Sequence, residues 1–488
     1  MNCKKYGLIL LIVFYCLCLQ AQNINISGEN KATFLHRTAK DSLHNYFENE
    51  LKFRVDRGAF TFGMSFIAEL PAYDDTMPEK ELDRDKLHTR WDDLFVQLKF
   101  DDFRLKVGTI DESYGVGLIL RSWNNPDVSA DKRMNGVQAQ YNYQDFKIKG
   151  LYGKMKEDIV DDDINDTDLV AGIDAEYQFS DSFTFGASAL EYKQDQSYVA
   201  GKSYTYKEIY GARAGLSFDA FDLELESAGM KTFHGLPKAE FGNATYAFAN
   251  GYLGDITVSA GYKRYENYND HPLSDLPTLN HYDELLYSFE PNIKIEEGLQ
   301  GEVRYRINPA QEVAVNYGEA WDKSYKVLHS NLFAEHKWQL EMCSITTDFE
   351  HLEKKNSINV NLWEKEVTPA VAVEFFELKV PLTLKTKWTF EESLKGNTEG
   401  SYNKPYLQVD SRVGPLSYSL FGQYQFIGID DLSKHKVYLG AELVTDIARH
   451  TEAKLFVGSE QGGKVCRNGV CKEQAAYEGI KFSLNTRF

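Results

Sequence analysis

Ile480-Lys481-Phe482-Ser483-Leu484-Asn485-Thr486-Arg487-Phe488 is the end of this 488-residue chain, and its reading decides the fold. Ile480, Phe482, Leu484 and Phe488 fall on one face of an extended segment. Lys481, Ser483, Asn485 and Arg487 fall on the other. Side chains of a strand point to opposite faces with period two, so this strand is apolar on one side and charged on the other.

The same alternation recurs along the sequence. Leu51, Phe53 and Val55 alternate with Lys52 and Arg54, and after Asp56-Arg57-Gly58 the chain resumes at Phe60. Phe103, Leu105 and Val107 alternate with Arg104 and Lys106; Phe221, Leu223 and Leu225 alternate with Asp222, Glu224 and Glu226. Segments of about ten residues match the length of a tilted strand crossing a bilayer. Their joints alternate too. Short ones fall at Asp101-Asp102, Ser180-Asp181-Ser182, Gly254-Asp255 and Gly414-Pro415, with long polar stretches at 71–91, 121–135, 154–168, 193–205, 266–282, 391–403 and 461–474 between them. Short turns at one end and long loops at the other are the pattern of a transmembrane barrel. The sequence therefore predicts an all-β fold: a large antiparallel transmembrane β-barrel of about 20–26 strands, with short periplasmic turns and long extracellular loops. The phase is ambiguous in two places. Residues 283–320 carry two turn signals (Glu296-Glu297-Gly298 and Asn308-Pro309) where one is needed, and 350–366 has room for an extra hairpin.

Composition is compatible with that reading. Mean hydropathy is −0.45, but a barrel turns only every second residue to lipid, so its average is polar. Aromatics make up 14 % of residues, as expected of a wall with Tyr and Trp belts at the headgroups. Net charge is −19, which argues against nucleic acid as a partner. At the N-terminus, Lys4 and Lys5 precede an apolar run from Leu8 to Leu19 and then Ala21, the layout of a secretory signal peptide. Residues 1–21 are read as the signal and 22–488 as the barrel, located in the cell outer membrane. Of the cysteines beyond the signal, Cys466 and Cys471 flank Arg-Asn-Gly-Val, a turn signal. In an oxidising compartment the pair reads as a disulfide pinning a loop tip. Cys343 reads as a buried or lipid-facing small residue.

The terminal strand resembles those of bacterial outer-membrane barrels. That resemblance implies that Phe482, Leu484 and Phe488 form a signal recognised by the barrel-assembly machinery, with membrane lipid as the surrounding partner. Glu112–Arg121, Gly136-Val137, Lys149–Gly153 and the cysteine-pair loop 462–471 resemble an uncharacterised family of Bacteroidota outer-membrane proteins. The resemblance implies a large monomeric barrel and no particular activity.

Catalytic motifs are missing: there is no Gly-x-Ser-x-Gly elbow and no His-Glu-x-x-His. No enzymatic activity and no cofactor are expected. Asp161, Asp163 and Asn165 resemble the start of a calcium loop, but Asp166 stands where Gly is required and Gly172 where Glu is. The stretch reads first as a solvated loop and second as a site for weakly held Ca²⁺ or Mg²⁺. Gly115, Gly117 and Arg121 mark a segment that could fold inward and narrow a lumen. If the apolar face meets lipid, Lys99, Arg104, Lys106, Lys147 and Lys149 line one sector of the interior, and Asp222, Glu224 and Glu226 another. A barrel of this size leaves space unless something fills it. The expectation is a porin-like channel for small hydrophilic solutes; the alternative is a non-conducting barrel serving as a structural or partner-binding subunit of a cell-surface assembly.

Overall fold

The computed structural model describes residues 24–38, 45–71, 87–125, 130–155, 168–194, 205–234, 239–268, 295–322, 327–355, 363–376, 381–395, 398–426, 435–467, 470–474 and 476–488. Residues 1–21, expected from sequence to be a signal peptide, and the acidic stretch with Asp161, Asp163 and Asn165 lie outside the described residues. A single 24-stranded antiparallel sheet forms the wall. Its first strand, Asn25–Arg37, pairs on one side with Asn45–Arg57 and on the other with the last strand, Tyr477–Arg487. That second ladder closes the sheet on itself and leaves no unpaired edge.

The seam shows why the terminal residues have the identities they do. Beyond the ladder, the Phe488 amide donates to the Gly28 carbonyl (3.0 Å), and the Gly28 amide donates back (2.9 Å). The Phe488 ring lies where a side chain at residue 28 would stand: a Cβ there would be 2.5 Å from it. On the other face Asn485 donates to Glu29 (2.7 Å), and Arg487 lies 3.4 Å from the same carboxylate.

Strands of the wall run from 8 residues (Phe103–Ile110) to 16 (Thr398–Val413), and most are long enough to span a bilayer at a tilt. Turns at one end are as short as two residues, as at Asp101-Asp102, Gln144-Asp145, Asp219-Ala220 and Gly414-Pro415. The turn ends carry outward aromatic pairs. Tyr177 and Phe179 stand 4.6 Å apart, Phe179 and Phe183 5.2 Å, and Phe218 and Phe221 4.9 Å between ring centroids. Such rings suit the headgroup level, where one edge meets hydrocarbon and the other water.

Two sequence expectations need correction. Glu296-Glu297-Gly298 is no turn; it lies within the strand Ile295–Asn308, and the chain reverses at Pro309-Ala310. The polar stretch 391–403 is no long loop either. The strands Leu382–Lys395 and Thr398–Val413 run through it, paired from Leu382↔Ser411 to Lys395↔Thr398. Glu391, Ser393 and Lys404 are polar there because they sit, buried, on the inner face of the wall.

Gly463–Arg467 and Val470–Gln474 form a separate two-stranded ladder whose register sets Cys466 opposite Cys471. Directly opposed residues of an antiparallel pair have Cα atoms about 4.5–5.5 Å apart, within the span of a disulfide. Both cysteines are expected to resist thiol alkylation in the folded protein until a reductant is added; labelling without reductant would refute the bond. Cys343 is a free, half-buried thiol near the turn end.

Candidate functional site: a hairpin folded into the barrel

After the strand Phe103–Ile110 the chain folds inward. Glu112–Tyr114 pairs with Leu120–Ser122 as a short antiparallel hairpin. Its tip is Gly115-Val116-Gly117, with φ of 56° at Gly115 and 100° at Gly117, conformations that favour glycine. The Gly117 amide closes the turn onto the Tyr114 carbonyl (3.2 Å). Ser122 ties the returning arm down by donating to the carbonyls of Ile110 (3.3 Å) and Lys132 (2.8 Å).

The hairpin touches strands from Met134–Tyr143 round to Phe221–His234, and also Tyr268, which only the concave side of the wall allows. Tyr114, Leu118, Ile119 and Leu120 are buried in one apolar cluster with inner-face residues such as Leu151, Val170, Ile209 and Met230. Two wall glycines make the slot. A Cβ at Gly211 would stand 2.2 Å from Ile119 Cδ1, and one at Gly172 3.1 Å from the Tyr114 ring. Burial, with the charges of Glu112 and Asp174 nearby, pushes the Tyr114 hydroxyl well above its ordinary range, so it stays protonated.

Polar contacts hold both ends. At the base, Glu112 accepts from Lys149 Nζ (2.8 Å) and from Gln138, and Arg104 stands 3.8 Å away. Lys149 also donates to the Ser113 carbonyl (3.1 Å). At the tip, the Val116 amide donates to Glu226 Oε2 (2.8 Å), and a Cβ at Gly115 would collide with that oxygen at 1.9 Å. Tyr268 donates its hydroxyl to the Leu118 carbonyl (3.0 Å).

The two charged sectors expected from sequence meet in this region. Lys106 Nζ pairs with Asp111 (2.6 Å) and lies 4.6 Å over the Phe95 ring. Lys99 is registered opposite Arg104, and Lys147 opposite Glu176. Asp222 accepts from Ser217 (2.7 Å) and Tyr252 (2.6 Å), while Glu224 is registered with Gly215 and Phe248. Between the sectors Arg213 bridges Asp174 (2.6 Å) and Glu176 (2.9 Å). Opposite charges are therefore stitched together along the inner wall. Arg121 stacks on Trp123, 4.4 Å from its ring centroid. On the far wall Glu364, Glu366 and Glu391 approach one another within 4.8 Å, with Lys404 paired to Glu391 and 3.9 Å from Glu366.

Sequence reasoning picked out the glycines at the hairpin tip but missed Glu112 and Tyr114, which do most of the anchoring. A signal was available. Leu151, Val170, Ile209 and Met230 are apolar on the inward phase of their strands, a place where a water-facing wall has no use for them.

Sequence comparison places the chain. Residues 3–356 match the model of a family of unknown function, DUF6029. The chain belongs to this family. No curated protein matches the sequence. By fold, this DUF6029 member is similar to the P pilus usher (PapC) translocation pore, at 9 % identity over 95 % of this chain and 99 % of that one, with a TM-score of 0.50. It is similar as well to the E. coli P pilus tip assembly intermediate PapC-PapD-PapK-PapG, at 8 % identity, 96 % and 62 % coverage and a TM-score of 0.54. The siderophore receptor PirA from Pseudomonas aeruginosa matches at 9 % identity, 96 % and 81 % coverage and a TM-score of 0.48. At such identities the likeness is one of fold: this is a large, closed barrel of the outer-membrane type.

Proposed function

We propose that this chain is an integral outer-membrane barrel that passes small hydrophilic solutes through a lumen narrowed on one side by the Glu112–Ser122 hairpin. The observation that carries this reading is the division of faces around a closed 24-strand wall. Side chains such as Leu225, Val258, Val303 and Phe482 point outward and exposed, while Arg213, Lys385, Lys404 and Lys454 sit in ion pairs on the inner face. Charge on the lipid side costs too much to be maintained, and a wall of this circumference is too wide for its own side chains to fill. The hairpin packs against the sector between residues 134 and 268, so the passage is displaced toward the opposite wall. The reading assigns no catalytic chemistry and no cofactor.

Liposomes carrying the folded barrel are expected to swell in isotonic solutions of small sugars and amino acids, and to swell less as the solute grows. Vesicles that do not swell in any of them would overturn the channel reading.

A second reading, a non-conducting platform for partner proteins, is favoured by the apolar packing inside the barrel and by the fold likeness to an usher caught with other pilus proteins. Affinity recovery of the barrel from mildly solubilised membranes tests it. Stoichiometric companions would support the platform, and the barrel recovered alone would count against it.

A further inference from the structure

We propose that the Glu112–Ser122 hairpin is a hinged gate, held shut at its tip by Glu226. The two ends of the hairpin are fastened differently. Its base is anchored by several contacts to Glu112 and Ser113, and Ser122 ties the returning arm to Ile110 and Lys132. At the tip the Val116 amide donates to Glu226 Oε2 and the Tyr268 hydroxyl to the Leu118 carbonyl, so the charged fastening there comes from Glu226.

The closed position is also incompletely satisfied. Glu226 is 3 % exposed, and its second oxygen, Oε1, has no hydrogen-bond partner among the described residues. The Tyr114 hydroxyl, fully buried on the wall side of the hairpin, has none among them either. A buried carboxylate oxygen and a buried hydroxyl without partners oppose burial, because both would be hydrated if the hairpin lifted. Apolar packing of Leu118, Ile119 and Leu120 favours the shut state, and these two polar groups favour the open one. A segment balanced between such terms, tied at one end and pinned at the other, is a two-state element. Gly115 fits this role: a side chain there would displace the carboxylate that pins the tip.

Opening a passage is a consequence that rests on the channel reading above, but the latch is tested without it. The full-length protein in lipid nanodiscs is compared with E226A and E226D by hydrogen–deuterium exchange, with heat-modifiable gel mobility confirming a folded barrel. E226A is expected to speed exchange of amides in residues 112–122 about tenfold, the equivalent of one lost charge-assisted hydrogen bond, with the wall strand Phe221–His234 unchanged. E226D, which keeps the charge and shortens the reach, is expected to give a smaller acceleration confined to the same residues. Unchanged hairpin exchange in a folded E226A would overturn the proposal, as would acceleration spread equally over 205–234. If E226A does not fold, E226D decides by the same two criteria. Planar-bilayer recordings read the consequence: longer open times in E226A support gating, whereas silence from every form removes the channel reading and leaves the exchange data to judge the latch.

Discussion

Tyr114→Ala is expected to cost the docked hairpin about 3–5 kcal/mol, the usual penalty for truncating a fully buried aromatic. The Tyr114 ring has no exposed surface, rests over Gly172 and has Lys149 Nζ 5.9 Å from its centroid. Few side chains can slide into the space it leaves, because the opposing wall is a rigid hydrogen-bonded ladder. The barrel itself needs no contact from this ring, since every wall strand is paired on both sides. Limited proteolysis should then cut within 112–122 in the variant while the heat-modifiable barrel persists. Continued protection of the hairpin in Tyr114→Ala would show that the apolar cluster does not hold it.

Leu225→Arg is expected to destabilise the barrel by about 2–4 kcal/mol. Leu225 is exposed on the outer face, 42 % in the absence of lipid, and lies roughly 13 Å along its strand from the short turn, near mid-bilayer. An Arg there has no inner-face partner and must reach for the headgroups. Glu224→Gln, one residue away and inward, is expected to change stability far less. Urea unfolding in phosphatidylcholine vesicles compares the two. Equal effects at 224 and 225 would mean that the faces are assigned the wrong way round.

Much of the wall was legible in the sequence because period two is a local signal. Phe482 against Lys481, or Leu225 against Glu224, can be phased without knowing any partner strand. The short turns were legible for a similar reason, since Gly254-Asp255 and Gly414-Pro415 carry their own backbone chemistry; Gly254 and Gly414 both adopt positive φ. What failed depended on distance in sequence. The stretch 391–403 looks like a loop only until Lys404 is seen to pair with Glu391 across neighbouring strands. Glu296-Glu297-Gly298 looks like a turn only until Glu296 is placed against Lys263. The site was legible in part. Gly115 and Gly117 announced an inward bend, but alternation cannot reveal that Glu226, 110 residues later, receives the amide at the tip. Nor can it show that Gly172 and Gly211 leave room for the hairpin.

Single-channel recording tests the central claim most directly. Folded protein in planar bilayers is expected to give stepwise currents, and Tyr114→Ala, with its hairpin released, larger steps than the native chain. Bilayers that show no steps with either protein, both verified as folded, would contradict a solute-passing lumen.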